Sequence, residues 1–245
     1  MNVLEVQGLT KHYPAFTLNG VSFAVSEGAV MGFIGRNGAG KSTTLKSILG
    51  MVHPDAGEVK VFGMDYAANE RAIRRELGVV LGGIDFYPKK KIRVITDVTR
   101  RFYDNWDEDK YRHYLRLFAI DEEKRVDQLS SGMKVKYMIA IALSHNARLL
   151  ILDEPTSGLD PVSRDELTEL LRRLVADGTR SVLFSTHITS DLEKCATHIA
   201  LIKDGELQYT GSLNDFRTHY KDVGTTLEDI IVHVERRPLD ESAII

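Results

Sequence analysis

The sequence predicts an α/β fold: a mainly parallel sheet flanked by helices, with an antiparallel β arm at the N-terminus and a helical subdomain inserted midway. Three observations predict it. Short apolar runs of the kind that buried strands need recur at Ala29–Ile34, Leu77–Leu81, Arg148–Glu154, which ends in two carboxylates, and Arg180–Ser185. From Asp85 to about Ser144 that texture disappears, and apolar residues take helical spacing instead. Directly after the first run, Gly35-Arg36-Asn37-Gly38-Ala39-Gly40-Lys41-Ser42-Thr43 fits the phosphate-binding pattern G-x-x-x-x-G-K-[ST] at every fixed position.

The chain of 245 residues is long enough to bury a full core, and 1–245 reads as one domain. Hydrophobic residues at 43% and charged residues at 27% are ordinary for a globular protein, and a net charge of −3 points neither to nucleic acid nor to an anionic membrane surface. The single cysteine, Cys195, excludes an internal disulfide and reads as a small buried apolar residue. The start, Met1-Asn2-Val3-Leu4-Glu5, lacks the features of a signal peptide, and no apolar run is long enough to span a bilayer. The expectation is a cytoplasmic chain whose membrane role, if any, comes through a partner.

In chain order, Val3–Val6 alternates like an edge strand, and Phe16–Val25, broken at Asn19-Gly20, reads as strand and turn. Tyr13 between them is either a tyrosine on a surface turn or an aromatic face for a purine to stack on. The apolar run before Gly35 is a buried strand, and Lys41–Leu49 after the loop carries leucines and isoleucine at helical spacing. The turn His53–Gly57, a strand Glu58–Phe62, a polar helix through Arg71–Glu76 and the strand Leu77–Leu81 follow, ended by Gly82-Gly83. The insertion, about 85–144, holds helices at Val94–Tyr103, Lys110–Phe118 and Ser131–Leu143. Its aromatics (Phe102, Tyr103, Trp106, Tyr111, Tyr114, Phe118) alternate with arginines, a texture read as a small helical core with a solvated face rather than as a nucleic-acid surface. After the Arg148–Glu154 strand, Asp160-Pro161 starts a helix with an N-cap and a first-position proline, running to Asp177-Gly178. The next strand ends at Thr186-His187. A hairpin around Asp204-Gly205 and helices at Ser212–Tyr220 and Thr226–Glu235 complete a C-terminal segment of about 197–237, and the last residues read as polar and frayed.

The residue types of the glycine-rich loop follow from its chemistry. Glycines let successive backbone N–H groups of Asn37, Gly38, Ala39 and Gly40 turn towards phosphate oxygens, and the helix beginning at Lys41 aims its positive dipole end at the same anion. Lys41 supplies a charge for the β- and γ-phosphates, and the hydroxyl of Ser42, followed by Thr43, suits Mg²⁺. The core is therefore of the P-loop NTPase kind. Asp153 ends an apolar strand where a carboxylate can hold Mg²⁺ beside the γ-phosphate, and Glu154 next to it is placed to act as general base on water. His187 ends the following strand, so it can lie beside Glu154 and orient water or the γ-phosphate.

With Leu129-Ser130-Ser131-Gly132-Met133 at a helix start ahead of Asp153, the sequence resembles the ATP-binding cassette (ABC) ATPases over nearly its whole length. In that family the motif reads Leu-Ser-Gly-Gly-Gln; Ser130 and Gly132 match it, whereas Ser131 and Met133 depart. The resemblance implies a head-to-tail dimer, with a second copy or a paralogous ATPase subunit, in which Ser130 and Gly132 reach the γ-phosphate of ATP held by the other subunit. It implies that Tyr13 is the adenine-stacking aromatic, that Asp160 in Ser157-Gly158-Leu159-Asp160 links the two sites, and that His187 is the switch histidine. The family's glutamine after the Leu77–Leu81 strand is absent at Gly82-Gly83, where Asp85 is the nearest partial substitute. The resemblance also implies separate transmembrane subunits, docked in a groove between core and insertion, and placement on the inner face of the membrane. The basic run Lys89-Lys90-Lys91-Ile92-Arg93 would border that groove, and reads as an exposed, solvated loop in preference to a docking element. Phe102-Tyr103-Asp104-Asn105-Trp106-Asp107 is similar to subunits of bacterial exporters of peptides and antibiotics. The alternative reading is a soluble cassette ATPase acting on ribosomes or DNA.

Overall fold

The computed structural model describes residues 1–81 and 87–236. Gly82, Gly83 and Asp85, where the missing glutamine was noted, and the chain end expected to fray lie outside the described residues.

The chain opens with β1 (Asn2–Tyr13) and β2 (Phe16–Ser26), an antiparallel pair. Then come β3 (Val30–Ile34), α1 (Lys41–Ile48), β4 (Ala56–Val61), β5 (Met64–Asp65), α2 (Tyr66–Arg75) and β6 (Leu77–Leu81). The insertion supplies α3 (Ile92–Thr99), α4 (Glu108–Leu117) and α5 (Ser131–Ser144). The core resumes with β7 (Leu149–Asp153), α6 (Pro161–Leu174), β8 (Ser181–Thr186) and α7 (Thr189–Cys195), and closes with β9 (His198–Lys203), β10 (Glu206–Ser212), α8 (Leu213–His219) and α9 (Leu227–Glu235).

Two sheets result. One has four strands in the order β2-β1-β4-β5, all antiparallel; the other has six in the order β10-β9-β3-β8-β7-β6, parallel except for β10. Every residue of β3, β7 and β8 is buried, because helices cover one face of the parallel sheet and the antiparallel arm covers part of the other. The Val3–Val6 stretch differs from its expected place: it belongs to an interior strand, paired on both sides by β2 and β4. Alternation reports that one face is buried and says nothing about whether the strand's edges are paired, so the pattern could not separate the two cases. The helix after Asp160 ends at Leu174, short of Asp177-Gly178, and α7 was not expected at all.

The insertion has a core of its own, with Ile92, Ile95, Tyr111, Leu115, Val126, Leu129, Tyr137 and Ile141 buried together and Trp106 and Phe118 packed against it. Thr96 pins three helices at once: its Oγ1 lies 2.8 Å from the Tyr111 hydroxyl and 2.9 Å from that of Tyr137. The aromatics are thus mostly structural, as their helical spacing indicated; Phe102, 71% exposed, is an exception.

Core and insertion meet at His145, whose ring stacks on Tyr103 with centroids 3.8 Å apart. Its Nδ1 lies 3.2 Å from Arg75 O, and Asn105 Nδ2 donates to its carbonyl at 2.6 Å. Burial pushes the imidazole pKa down to about 4 from 6.5, because the charged ring would lose its water. A depressed folded-state value means the stability is present above pH 6.5 and is lost as the pH falls towards 4, by up to about 3 kcal/mol at 1.36 kcal/mol per unit. His145→Gln is expected to flatten this part of the acid limb; thermal unfolding followed by circular dichroism at pH 7.5 and 5 checks it, and an identical pH dependence in the variant would count against the assignment.

Candidate functional site

β3, β8 and β7 are adjacent and parallel, so their carboxyl ends open on one edge of the sheet, with Ile34 opposite Thr186 and Asp153 opposite Ser185. The glycine-rich loop leaves β3 there and turns into α1. Gly40 is the N-cap of α1 with φ +111°, and a Cβ at that position would sit 2.9 Å from Phe16 Cζ, so neither the backbone nor the space admits a larger residue. Gly38 also has a positive φ, +84°. The loop walls a pocket of about 470 Å³ lined by Ala15, Phe16, Asn37, Gly38, Gly40, Lys41, Ser42, Thr43 and Glu154.

Lys41 is almost entirely buried, and its Nζ donates to the carbonyl oxygens of Gly35 (2.8 Å) and Arg36 (3.2 Å). The same ammonium lies 3.3 Å from Glu154 Oε1, and the other carboxylate oxygen of Glu154 lies 3.4 Å from His187 Nδ1. The carboxylate is therefore held between a buried cation and an imidazole; the strand-end argument placed His187 beside it and did not foresee Lys41. Both distances are longer than those of tight hydrogen bonds. The backbone at Glu154 takes φ +48°, the left-handed region, where a non-glycine residue costs about 1 kcal/mol.

Asp153 is 9% exposed, and Ser185 Oγ donates to its Oδ1 at 2.6 Å. Ser185 Oγ also accepts from Glu154 N at 2.8 Å, so one buried hydroxyl sets both carboxyl-bearing residues against β8. Ser185 was not singled out in the sequence; its only signal is its place one residue before Thr186-His187. Ser185 occupies only Oδ1, so the other carboxylate oxygen of Asp153 is left to take a cation directly or through water. Among the described residues no cluster of three or more His, Cys, Asp or Glu side chains forms a metal cage. A hydroxyl, one carboxylate and a phosphate cradle are the donor set that suits Mg²⁺, which keeps waters and substrate oxygens as its main ligands.

Tyr13 ends β1, paired across the hairpin with Phe16, and is 41% exposed with Lys11 Nζ 5.9 Å from its ring centroid. It does not line the pocket; Phe16, which the sequence reading passed over, does.

Ser130, Gly132 and Asp160 form a second group. Ser130 is the N-cap of α5 and accepts from Met133 N at 3.2 Å. Asp160 caps α6, its Oδ1 accepting from Val162 N and Ser163 N, both at 3.0 Å, while Ser163 Oγ donates to its Oδ2 at 2.6 Å. The Ser163 hydroxyl and backbone N–H hold the Asp160 carboxyl below the usual carboxylate range. A Cβ on Gly132 would sit 3.3 Å from Ser163 Cβ, so Gly132 allows the starts of α5 and α6 to touch. None of the three lines the pocket at Lys41.

This arrangement of strand ends and helix starts agrees with what sequence comparison finds: the ABC transporter family profile matches residues 18–157. The chain belongs to the ABC transporter family. Relatives include the bacitracin transport ATP-binding protein BcrA of Bacillus licheniformis, 32% identical over 208 residues that cover 84% of this chain and 68% of BcrA. Another is the Nod factor export ATP-binding protein I of Burkholderia orbicola (strain AU 1054), 35% identical over 208 residues, 82% of this chain and 68% of that one. Among solved structures, an ATP-binding subunit of an ABC transporter superposes with a TM-score of 0.84 at 30% identity, covering 95% of this chain and 99% of that one. An ATP-binding cassette captured as a dimer in a post-hydrolysis state with ADP and phosphate shares the fold, with a TM-score of 0.75 at 23% identity over 86% of this chain and 98% of that one. The chain is an ABC ATPase. Among the described residues no helix is long and apolar enough to cross a membrane.

Proposed function

We propose that this ABC ATPase energises an exporter of peptide or antibiotic-like cargo, working as a pair of cassettes bound to separate transmembrane subunits on the inner face of the membrane. The observation that carries the reading is the 32–35% identity, over four-fifths of the chain, to ATP-binding proteins named for bacitracin transport and Nod factor export.

In this reading ATP lies in the pocket at Lys41 with its phosphates on the loop 37–43. Lys41 and the start of α1 neutralise the β- and γ-phosphates. Ser42 and Asp153 would hold Mg²⁺, and the chemistry that ion would supply is charge stabilisation of the phosphate oxygens. Glu154 takes the proton of the attacking water, and His187, 3.4 Å away, orients the water and the γ-phosphate. Ser130 and Gly132 at the start of α5 present their hydroxyl and N–H groups to the phosphate on the partner cassette, with Asp160 at the seam between the two sites. Phe16, with Tyr13 behind it, supports the base.

The movement reaches the membrane through a groove of about 290 Å³ between core and insertion, lined by Met51, Tyr66, Ile95, Tyr103, Met138 and His145 among others. Met51 and Phe102 stand exposed near it, 59% and 71%, an apolar surface that a partner would cover. The lysine run expected to border this groove is not part of its lining. Lys89 pairs with Asp127 at 3.1 Å and Lys91 with Glu123 at 2.8 Å, which supports a structural use for both.

The test is co-purification from detergent-solubilised membranes. The wild-type chain is expected to bring down an integral membrane protein with ATPase activity sensitive to peptide cargo, and Met51→Glu to reduce that recovery at least tenfold while basal ATP hydrolysis stays within about twofold, because a charge on the groove must be desolvated on docking. Recovery of no membrane protein, or undiminished recovery with Met51→Glu, would refute the docking arrangement.

A further inference from the structure

One fully buried carboxyl group takes no part in the chemistry derived above. Asp191 lies in the first turn of α7 and is 0% exposed. Its Oδ2 accepts from Thr156 Oγ1 at 2.6 Å and lies 3.4 Å from Thr186 Oγ1, while its Oδ1 is buried without any hydrogen-bond partner. Thr186 in turn accepts from Ile188 N at 3.0 Å. Thr156, itself 1% exposed, follows Glu154 by two residues, and Thr186 immediately precedes His187. One carboxylate oxygen thus ties the loop that carries Glu154 to the loop that carries His187.

Ser185 already joins β7 to β8 at the level of Asp153. Its Oγ also holds Glu154 N, but it reaches neither the turn after Glu154, in its left-handed backbone, nor His187, which leaves the sheet. The Asp191 contacts close that span from the far side. A buried carboxylate with half its acceptor capacity unfilled is a burden on the fold, because the unpaired oxygen has lost its water and gained nothing. An apolar residue in a helix packed this deeply would avoid that burden, so the carboxylate's use lies in the tie.

We propose that Asp191 is a positioning residue for hydrolysis, acting through Thr156 and Thr186 to hold Glu154 and His187 at their mutual distance. The proposal rests on Glu154 being the general base, which Glu154→Gln tests by itself. Asp191 is fully buried and does not line the pocket at Lys41, so it does not itself meet the reacting groups. Its effect comes from the orientation of groups that do, and a misplacement of about 1 Å at such groups is worth up to about 100-fold in rate.

The experiment compares Asp191→Asn, Thr156→Val and Thr156→Ser with wild type in kcat and KM for ATP, alongside thermal unfolding. Thr156→Val removes the donor at nearly constant volume, so it reports even if Asp191→Asn fails to fold. The expected result is a 10- to 100-fold fall in kcat for Thr156→Val with KM for ATP within about threefold, and recovery of most of the rate in Thr156→Ser, which restores the hydroxyl. Combined with Glu154→Gln in single-turnover assays, Thr156→Val should lower the residual rate by less than about threefold, because positioning a base that is gone has no further effect. A Thr156→Val variant with wild-type kcat overturns the proposal. So does a full multiplicative loss on top of Glu154→Gln, which would show that the tie acts on general stability or on ATP binding instead.

Discussion

Glu154→Gln is expected to lower ATP turnover by a factor of about 10²–10⁴ while the affinity for ATP stays within severalfold. Glutamine keeps the shape of the side chain and can still meet Lys41 and His187, which flank the carboxylate at 3.3 and 3.4 Å. It has no basic lone pair of comparable strength to accept the proton of water. With hydrolysis blocked, the closed pair of cassettes has no route back, so the ATP-loaded variant should elute from a size-exclusion column as a dimer where the ADP-loaded one does not. A fully active variant would end the general-base assignment. A variant that is inactive yet monomeric at every concentration would keep the base and remove the shared-ATP arrangement in which Ser130 of one copy meets the nucleotide of another.

Lys41→Ala is expected to weaken ATP binding itself, by about 100-fold or more in Kd measured by calorimetry. The ammonium is buried, and each charge-assisted hydrogen bond it offers to phosphate is worth about 1.5–3 kcal/mol, so the loss of two exceeds two powers of ten. Within the protein the group donates to the Gly35 carbonyl, which is buried, and to that of Arg36, which is partly buried. The two variants separate cleanly: one loses the reaction and keeps the ligand, the other loses the ligand first. Unchanged affinity in Lys41→Ala would mean that the phosphates do not rest on this loop.

Much of this site could be read before the fold was known, because its residues sit where hydrophobic runs stop. A buried parallel strand is an unbroken apolar stretch, so Asp153 and Glu154 announce themselves as the carboxylates that end one such stretch, His187 as the imidazole just past another, and the glycine-rich loop as the turn after a third. Helical spacing likewise revealed α3, α4 and α5, whose apolar faces close on one another while α5 also packs Ile139 and Leu143 against the sheet. What stayed hidden was whatever depends on neighbours distant in sequence. Ser185, Thr156 and Asp191 look like ordinary polar residues until β8 and α7 bury them. Phe16 reads as one more apolar residue in a strand until the hairpin places it against Gly40. The interior position of β1 was invisible because pairing is a property of two strands, whereas burial periodicity belongs to one. The seven-residue α7 escaped because it is too short for a helical period to register.

The left-handed backbone at Glu154 has a consequence for anyone reshaping this protein. Glycine suffers no steric conflict at that φ and asparagine suffers little, so a redesign guided by thermal tolerance alone would drift towards either at this position. The drift would improve hardiness by a small margin and silence the enzyme altogether. Robustness and function are opposed at a single peptide unit here, and a library meant to toughen the cassette has to exempt residue 154 from randomisation.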